Sequence, residues 1–351
     1  MNIRQATIEQ LAKWATGKQC IYCFGAGIRL SSLLKEFQEY HLDEHIKGIS
    51  DNSREKQGTV WKFNEKAIPV MAPEHMIREM ARNDIIIITA AKGSEIFQQL
   101  EGYDKLNNID CYFDNQLRAN QYDYERNSID IPEVFTSRTD ICIPKIIHYC
   151  WFGKTEIPEE NRKWMESWKR YCPAYQIIEW NEDNYDVCKN LYMKQAYEKG
   201  KWAFVSDYAR VDIVAQYGGV YLDTDVELLR NLDELLKNEA FCGFENKNFV
   251  NFGLGFGAIK NHKLIEKLRE DYENRRFILE NGVINDTPCP VYQTELLEQY
   301  GLQRNGQFQM LEQITVYPER VLCAMNRYSG RIVNNIEHSY SIHHFSASWK
   351  K

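Results

Sequence analysis

The chain lacks an excess of positive charge. Lys and Arg number 43 against 50 Asp and Glu, for a formal net charge of -7 over 351 residues. Backbone phosphates of nucleic acid are met by clustered Lys and Arg, so nucleic acid is not an expected partner. Any phosphate this chain handles is met by a metal or a local cluster. A membrane-spanning run is also lacking. The longest apolar stretches, such as IIIITAA from Ile85 to Ala91, fall far short of the ~20 residues that a bilayer requires. The first residues, MNIRQATIEQ, have no apolar segment after a basic start, so no signal peptide is expected. A cytoplasmic location follows as the expectation. Peripheral work at the inner face of the membrane, on a lipid-linked substrate, stays open. Zinc spacing is missing too. Cys20 and Cys23 form a CxxC inside the strand-like run CIYCFGAG, no second pair follows, and the ten scattered cysteines read as free thiols, mostly buried. No internal repeat and no low-complexity tract is present.

What remains is ample for two domains. Hydrophobic residues make up 44%, enough for a sizeable core. Trp and Tyr are plentiful, which suits sugar or nucleotide ligands, although most aromatic side chains belong to cores. The first part alternates strand and helix. QCIYCF is a strand, LSSLLKEFQEY has helical spacing, HIKGISDNS holds a second strand ending at Asp51, and DIIIITAA suits a buried parallel strand. Residues 1–115 therefore read as a small Rossmann-like accessory domain. Its glycine turn supplies Gly25 and Gly27, but Leu30 replaces the third glycine of the dinucleotide fingerprint. Asp51 lies about where a ribose-binding acid would be. A nucleotide site and a structural tight turn both fit. From Asp114 to Thr139 the sequence turns polar and loses periodicity, and a linker is expected over 116–139. A second domain follows over 140–351.

That domain opens on the strand IPKIIHYCWFG and carries the helix KWAFVSDYARVDIVAQYGG, closed by glycines. The helix feeds VYLDTD. Extended through that stretch, strand alternation places Tyr221, Asp223 and Asp225 on one face, the carboxylates about 7 Å apart at roughly 3.3 Å per residue. Such a pair suits magnesium or manganese, which prefer oxygen ligands. An exposed acidic loop gives the same letters. Ser206, Asp207 and Arg210 sit on that helix, and Asp207 and Arg210, at i, i+3, share one face. They form either a local salt bridge or an acid for sugar hydroxyls beside a guanidinium. Far downstream, HHFSASW gathers His343, His344, Ser348 and Trp349.

SDYARVDIVAQYGGVYLDTDVEL is similar to the central signature of the DXD-containing sugar transferases of glycosyltransferase family 32. That family includes capsule-synthesis proteins and yeast-type mannosyltransferases, and its pattern is similar to that of the glucosylating bacterial toxins. IPKIIHYCWFG and HHFSASW resemble its opening and closing elements, so the resemblance covers roughly Ile143 to Trp349. The first domain resembles the Rossmann-like domains attached to bacterial sugar-modifying enzymes. The family resemblance implies a GT-A fold, an open mixed α/β sheet with helices on both faces. It implies a UDP- or GDP-linked sugar donor, a saccharide or lipid-linked glycan acceptor, retention of anomeric configuration and a role in bacterial surface polysaccharide synthesis. Trp151 would stack on the base, with Cys150 beside it. Ser206, Asp207, Arg210 and Tyr217 would line the donor site. Asp223 would meet ribose, sugar or metal. Asp225 would ligate a Mn2+ or Mg2+ ion, with either His343 or His344. Ser348 and Trp349 would reach the β-phosphate. Asn251 and the segment around Gln293 would shape the sugar or acceptor pocket. Two rivals stand beside this reading: a haloacid-dehalogenase-type phosphatase, whose first motif is also a strand ending in DxD, and a non-catalytic sugar-nucleotide-binding protein.

Overall fold

The computed structural model describes residues 1–15, 19–132, 139–332 and 336–346. The chain divides into two compact units, Met1–Glu125 and Arg126–Lys351.

In the first unit, strand β1 (Asn2–Ile3) precedes helix α1 (Ile8–Trp14). Then come β2 (Ile21–Phe24), α2 (Ile28–Glu39) and β3 (Ile46–Ser50). A hairpin of β4 (Val60–Phe63) and β5 (Lys66–Met71) follows, then α3 (Pro73–Glu79), β6 (Ile85–Ile88), α4 (Gly93–Glu101) and β7 (Asp110–Phe113). The sheet order is β1-β7-β6-β2-β3-β5-β4, parallel except for the β4–β5 edge. Four consecutive isoleucines form β6, and all are buried. Helices cover both faces of such a strand, so it needs no polar side. Strand order reverses between β2 and β6, the kind of switch point where open α/β sheets leave a crevice.

The expected linker differs from what forms. Helix α5 covers Asp114–Asn127, and residues 133–138 lie outside the described part. Its fully buried apolar side chains are Leu117 and Ala119. Polar side chains anchor the rest. Gln121 Nε2 donates to the Tyr40 hydroxyl at 2.8 Å, Asn120 Nδ2 to the Ala6 carbonyl at 3.1 Å, and Arg118 Nε to Glu36 at 2.7 Å. A helix held this way carries no strong 3.6-residue apolar signal.

The second unit starts with β8 (Ile146–Cys150), α6 (Glu159–Tyr171) and β9 (Gln176–Trp180). Helices α7 (Leu191–Glu198) and α8 (Trp202–Tyr217) lead into β10 (Gly219–Tyr221), β11 (Val226–Leu228), β12 (Ala240–Asn246), β13 (Phe249–Val250) and β14 (Phe256–Ala258). After α9 (Lys263–Asp271) and α10 (Cys289–Glu298) come β15 (Gln309–Met310), β16 (Thr315–Tyr317) and β17 (Ser341–His343). The main sheet is mixed, in the order β15-β16-β12-β14-β10-β8-β9. Strands β11 and β17 make a separate two-stranded ribbon. Helix α8 is apolar over most of its surface, with ten residues from Val205 to Ala215 buried, so it threads the core. It stops at Gly218 and Gly219, whose φ angles are 67° and 104°. A Cβ on Gly218 would sit 2.7 Å from the Lys260 nitrogen, and one on Gly219 2.8 Å from the Ile146 carbonyl. Only glycine permits both the reversal and the close approach of β10 to β8.

Candidate active site

Strand β10 ends at Tyr221. The expected continuous strand through Asp225 does not form. Residues 222–225 instead make a turn in which the Val226 N–H donates to the Asp223 carbonyl at 3.0 Å. Asn161 Nδ2 holds the Thr224 hydroxyl at 2.9 Å, which fixes the turn from below. A turn gathers the two carboxylates more tightly than an extended strand. Ligand atoms of Asp223, Asp225 and His343 all lie within 4.8 Å of one another.

His343 arrives through the ribbon, because Val226 of β11 pairs with His343 of β17. Its Nε2 lies 3.3 Å from Asp225 and 3.9 Å from Asp223. Neighbouring strand residues face opposite ways, and His344 turns out of the cluster. Its ring stacks on Trp164 at 4.0 Å and its Nε2 meets Glu227 at 2.9 Å. Of the two histidines that the sequence leaves open, His343 lies with the acids and His344 does not. Ser346, which sequence reasoning passed over, donates to Asp225 from both its backbone N–H (2.9 Å) and its hydroxyl (3.1 Å). The signal was present in HHFSASW, but nothing in the letters separates Ser346 from Ser348.

Helix α8 supplies the other half. Arg210 is 4% exposed and Asp207 5%. Arg210 donates from Nη2 to Asp207 at 2.9 Å and lies 3.6 Å from Asp223. Its Nε donates to the Ser206 carbonyl at 3.1 Å, and its guanidinium lies over the Tyr221 ring at 5.1 Å. The Tyr221 hydroxyl donates to Asp223 at 3.0 Å. Two aspartates thus share one buried guanidinium. Burial pushes the Asp207 carboxyl up, with Arg210 opposing. Burial would raise Asp223 as well, but Arg210 and His343 outweigh it and hold the group below the usual carboxylate range. Burial would lower His343, but Asp225 and Asp223 outweigh it and raise it.

These groups face a cavity of about 510 Å³, which Cys150, Trp151, Ser206, Asn251, Cys289 and Arg327 also line. The Trp151 indole N–H donates to the Thr155 carbonyl at 2.7 Å, which fixes the ring at the rim. Asn251 accepts from the Gly253 N–H at 2.7 Å and donates to Glu245 at 2.6 Å; Arg327 donates to the same carboxylate at 2.6 Å. Gln293 is 1% exposed and accepts from the Phe252 N–H at 3.0 Å, supporting the wall from behind. Tyr217 is not brought to the site. It sits on the last turn of α8, about 15 Å along the axis from Asp207 at 1.5 Å per residue, 47% exposed and packed against Trp180 at 5.2 Å. Ser348 and Trp349 lie outside the described residues.

In the first unit, Gly25 has φ 119° and its α-carbon approaches Ala90 so closely that a Cβ would stand 2.7 Å from the Ala90 nitrogen. Gly27 precedes α2. Asp51 accepts from the Ala26 N–H (2.8 Å), the Ser53 N–H (2.9 Å) and Lys56 Nζ (3.0 Å). Its carboxylate ties the turn shut from within.

In comparison with known proteins, residues 158–242 match the family described as the glycosyltransferase sugar-binding region containing DXD motif. An uncharacterised glycosyltransferase of Acanthamoeba polyphaga mimivirus is 30% identical over 165 residues, 44% of this chain and 65% of that protein. A mannosyl phosphorylinositol ceramide synthase of Saccharomyces cerevisiae is 29% identical over 182 residues, 48% of this chain and 46% of that protein. The chain thus spans less than two thirds of either relative. Among solved structures, a glycosyltransferase involved in the glycosylation of the major capsid of PBCV-1 aligns with TM-score 0.35 at 11% identity. The alignment covers 58% of this chain and 95% of that one, too loosely to carry a fold assignment. The family likeness thus falls on residues 158–242, the stretch that holds Asp207, Arg210 and the aspartate turn.

Proposed function

We propose that this protein is a metal-dependent, retaining glycosyltransferase of the GT-A type that moves a sugar from a UDP- or GDP-linked donor to a saccharide or lipid-linked glycan. Bacterial surface polysaccharide synthesis, at the cytoplasmic face of the membrane, is the setting we infer. Among the described residues no helix is long and apolar enough to cross a membrane. The first unit is proposed as a Rossmann-like accessory domain. The observation that carries the reading is the buried Arg210 shared by Asp207 and Asp223, one carboxylate away from the Asp225–His343 pair.

The donor set suits a divalent cation. Two carboxylates and one imidazole, Asp223, Asp225 and His343, match the oxygen and nitrogen preference of manganese, and magnesium fits the carboxylates. When bound, such an ion stabilises negative charge on the departing diphosphate. The protein's own groups do the rest. Trp151 offers a flat face for the base. Asp207 accepts hydrogen bonds from sugar hydroxyls, and Arg210 orients it. Already bound to that guanidinium, Asp207 is a poor nucleophile. Retention is therefore assigned to same-face attack: the acceptor hydroxyl bonds to the anomeric carbon as the sugar–phosphate bond breaks, and its proton passes to the leaving phosphate. A covalent glycosyl-enzyme trapped on Asp207 would refute that step. The phosphatase reading needs a later lysine and a second acidic pair on another strand end, and no lysine is among the described residues lining the cavity. The decisive experiment is a panel of UDP- and GDP-sugars with manganese on the full chain. Manganese-dependent donor cleavage supports the proposal. Phosphate release from sugar phosphates, with every nucleotide sugar left intact, defeats it.

A further inference from the structure

Behind Asp207 lies a group of polar atoms that the reaction above does not use. Tyr192 on α7, Tyr272 just after α9 and Tyr292 on α10 are 0%, 1% and 6% exposed. The hydroxyl of each makes no hydrogen bond to any described protein atom, and neither does Gln293 Nε2 next door to Tyr292. The rings form one assembly. Tyr192 and Tyr272 meet edge to face at 5.3 Å, Tyr272 and Tyr292 at 6.5 Å, and Tyr208, beside Asp207 in sequence, meets Tyr272 at 5.7 Å. Tyr292 follows Cys289, which lines the cavity with Asp207, by one helical turn. The Asp207 charge reaches the Tyr192 and Tyr272 hydroxyls, and with burial, the larger effect, raises both.

Buried polar atoms in native proteins are nearly always partnered, and where protein supplies no partner an ordered water does, typically with about three hydrogen bonds. Three hydroxyls gathered around one ring cluster are out of keeping with a dry apolar core. Phenylalanine would fill the same volume without stranding an oxygen. Asp207 in turn is a buried carboxylate that accepts from Arg210 and is also hydrogen-bonded by the Cys289 thiol. Two carboxylate oxygens offer about four acceptor sites, so these two partners leave room for more donors. We propose that ordered water bridges the hydroxyls of Tyr192, Tyr272 and Tyr292 to the Asp207 carboxylate, which makes the three tyrosines positioning residues for the sugar-binding acid. Their role in catalysis rests on the transferase reading above; the water network itself does not.

The test uses Tyr192→Phe, Tyr272→Phe and Tyr292→Phe in the full chain. Phenylalanine keeps the ring and removes only the oxygen. An unpartnered hydroxyl is a liability, so its loss leaves Tm unchanged or raises it; a water-bonded one lowers Tm when removed. A high-resolution crystal structure of the wild type reads the water directly. The expected result is water bonded to at least two of the hydroxyls and continuous with Asp207, with a lower Tm in at least two variants. With the nucleotide sugar that the panel identifies, donor KM rises several-fold. The acidic limb of the rate profile moves to higher pH, because Asp207 has lost donors that favour its charged form. Dry hydroxyls in the crystal structure, or three variants as stable as wild type or more so, overturn the proposal. Water in place with no change in KM or pH profile overturns the positioning role. A network seen in a protein that cleaves no nucleotide sugar upholds the network and strikes the transferase reading instead.

Discussion

Gly253 occupies the short 3-10 turn Phe252–Leu254 and is buried. A Cβ built there would lie 2.4 Å from Asp223 Oδ2, 2.9 Å from Arg210 Nη1 and 3.0 Å from Asn251 Oδ1. Ordinary contacts begin near 3.4 Å, so in Gly253→Ala the carboxylate oxygen must retreat by about 1 Å. None of the three neighbours can swing free. Arg210 is held by Asp207 and the Ser206 carbonyl, Asn251 by Glu245, and Asp223 by Tyr221 and Arg210. One methyl group in so tight a place costs about 1–3 kcal/mol of stability. Its larger effect falls on the cation site, where disturbing the support of a ligand weakens affinity by about 10–100-fold. Isothermal titration of manganese into wild type and Gly253→Ala measures this directly. The double variant Gly253→Ala/Asp223→Asn is then expected to bind manganese no worse than Asp223→Asn alone, because the methyl acts through that carboxylate. Wild-type manganese affinity in Gly253→Ala, or a further loss in the double variant, would refute the reasoning.

Four other expectations follow from the same geometry. Asp225→Asn is expected to abolish manganese-dependent turnover while circular dichroism shows an intact fold; wild-type rates would remove Asp225 from the ligand set. His343→Ala is expected to lose manganese binding and His344→Ala to retain most of it, since the second ring stacks on Trp164 instead; equal losses by titration would contradict this. Trp151→Ala is expected to weaken nucleotide binding by about 1–3 kcal/mol, the range of base–aromatic stacking, and unchanged affinity would discount the stack. The fourth concerns His148, whose Nδ1 accepts the Trp180 indole N–H at 3.1 Å and whose Nε2 therefore donates to the Gly218 carbonyl at 2.8 Å. Burial lowers its pKa to about 4. The unfolded chain takes up this proton near pH 6.5 and the folded chain does not, so its contribution to stability is full above that pH and falls by about 3 kcal/mol between pH 6.5 and 4. His148→Gln should flatten that part of the denaturant-unfolding profile, and a profile as steep as wild type would show the histidine is not its source.

The parts of the molecule that were legible in the sequence are those where one physical signal dominates. The unbroken apolar run of Ile85–Ile88 suits a buried strand, and the glycines after Tyr217 suit the end of a helix. The partnership of Asp207 with Arg210 was readable because helical spacing alone puts them on one face. Asp223 and Asp225 come together for another reason than strand alternation: a turn gathers them. Tyr217 looked like part of the motif because it is close in sequence, yet a straight helix carries it away. The β4–β5 hairpin has no dominant signal in the sequence, and neither has α5, because polar contacts to Tyr40, Ala6 and Glu36 hold it. No spacing rule could name Ser346, Gly253 or the three tyrosines. Their roles come from chain segments far apart in sequence.

The ribbon of β11 and β17 has a consequence for how the second unit is built. It brings Asp225 against Ser346, 121 positions further on, and everything from β12 to α10 lies in the loop between. The aspartate turn is thus also the buckle of a long belt. Closing a long loop costs chain entropy that grows only slowly with its length, so a cation clipped across the buckle restrains the whole belt with one fastening. His343 and Ser346 reach Asp225 only once that belt has been made, so the cluster is complete only when the whole unit is.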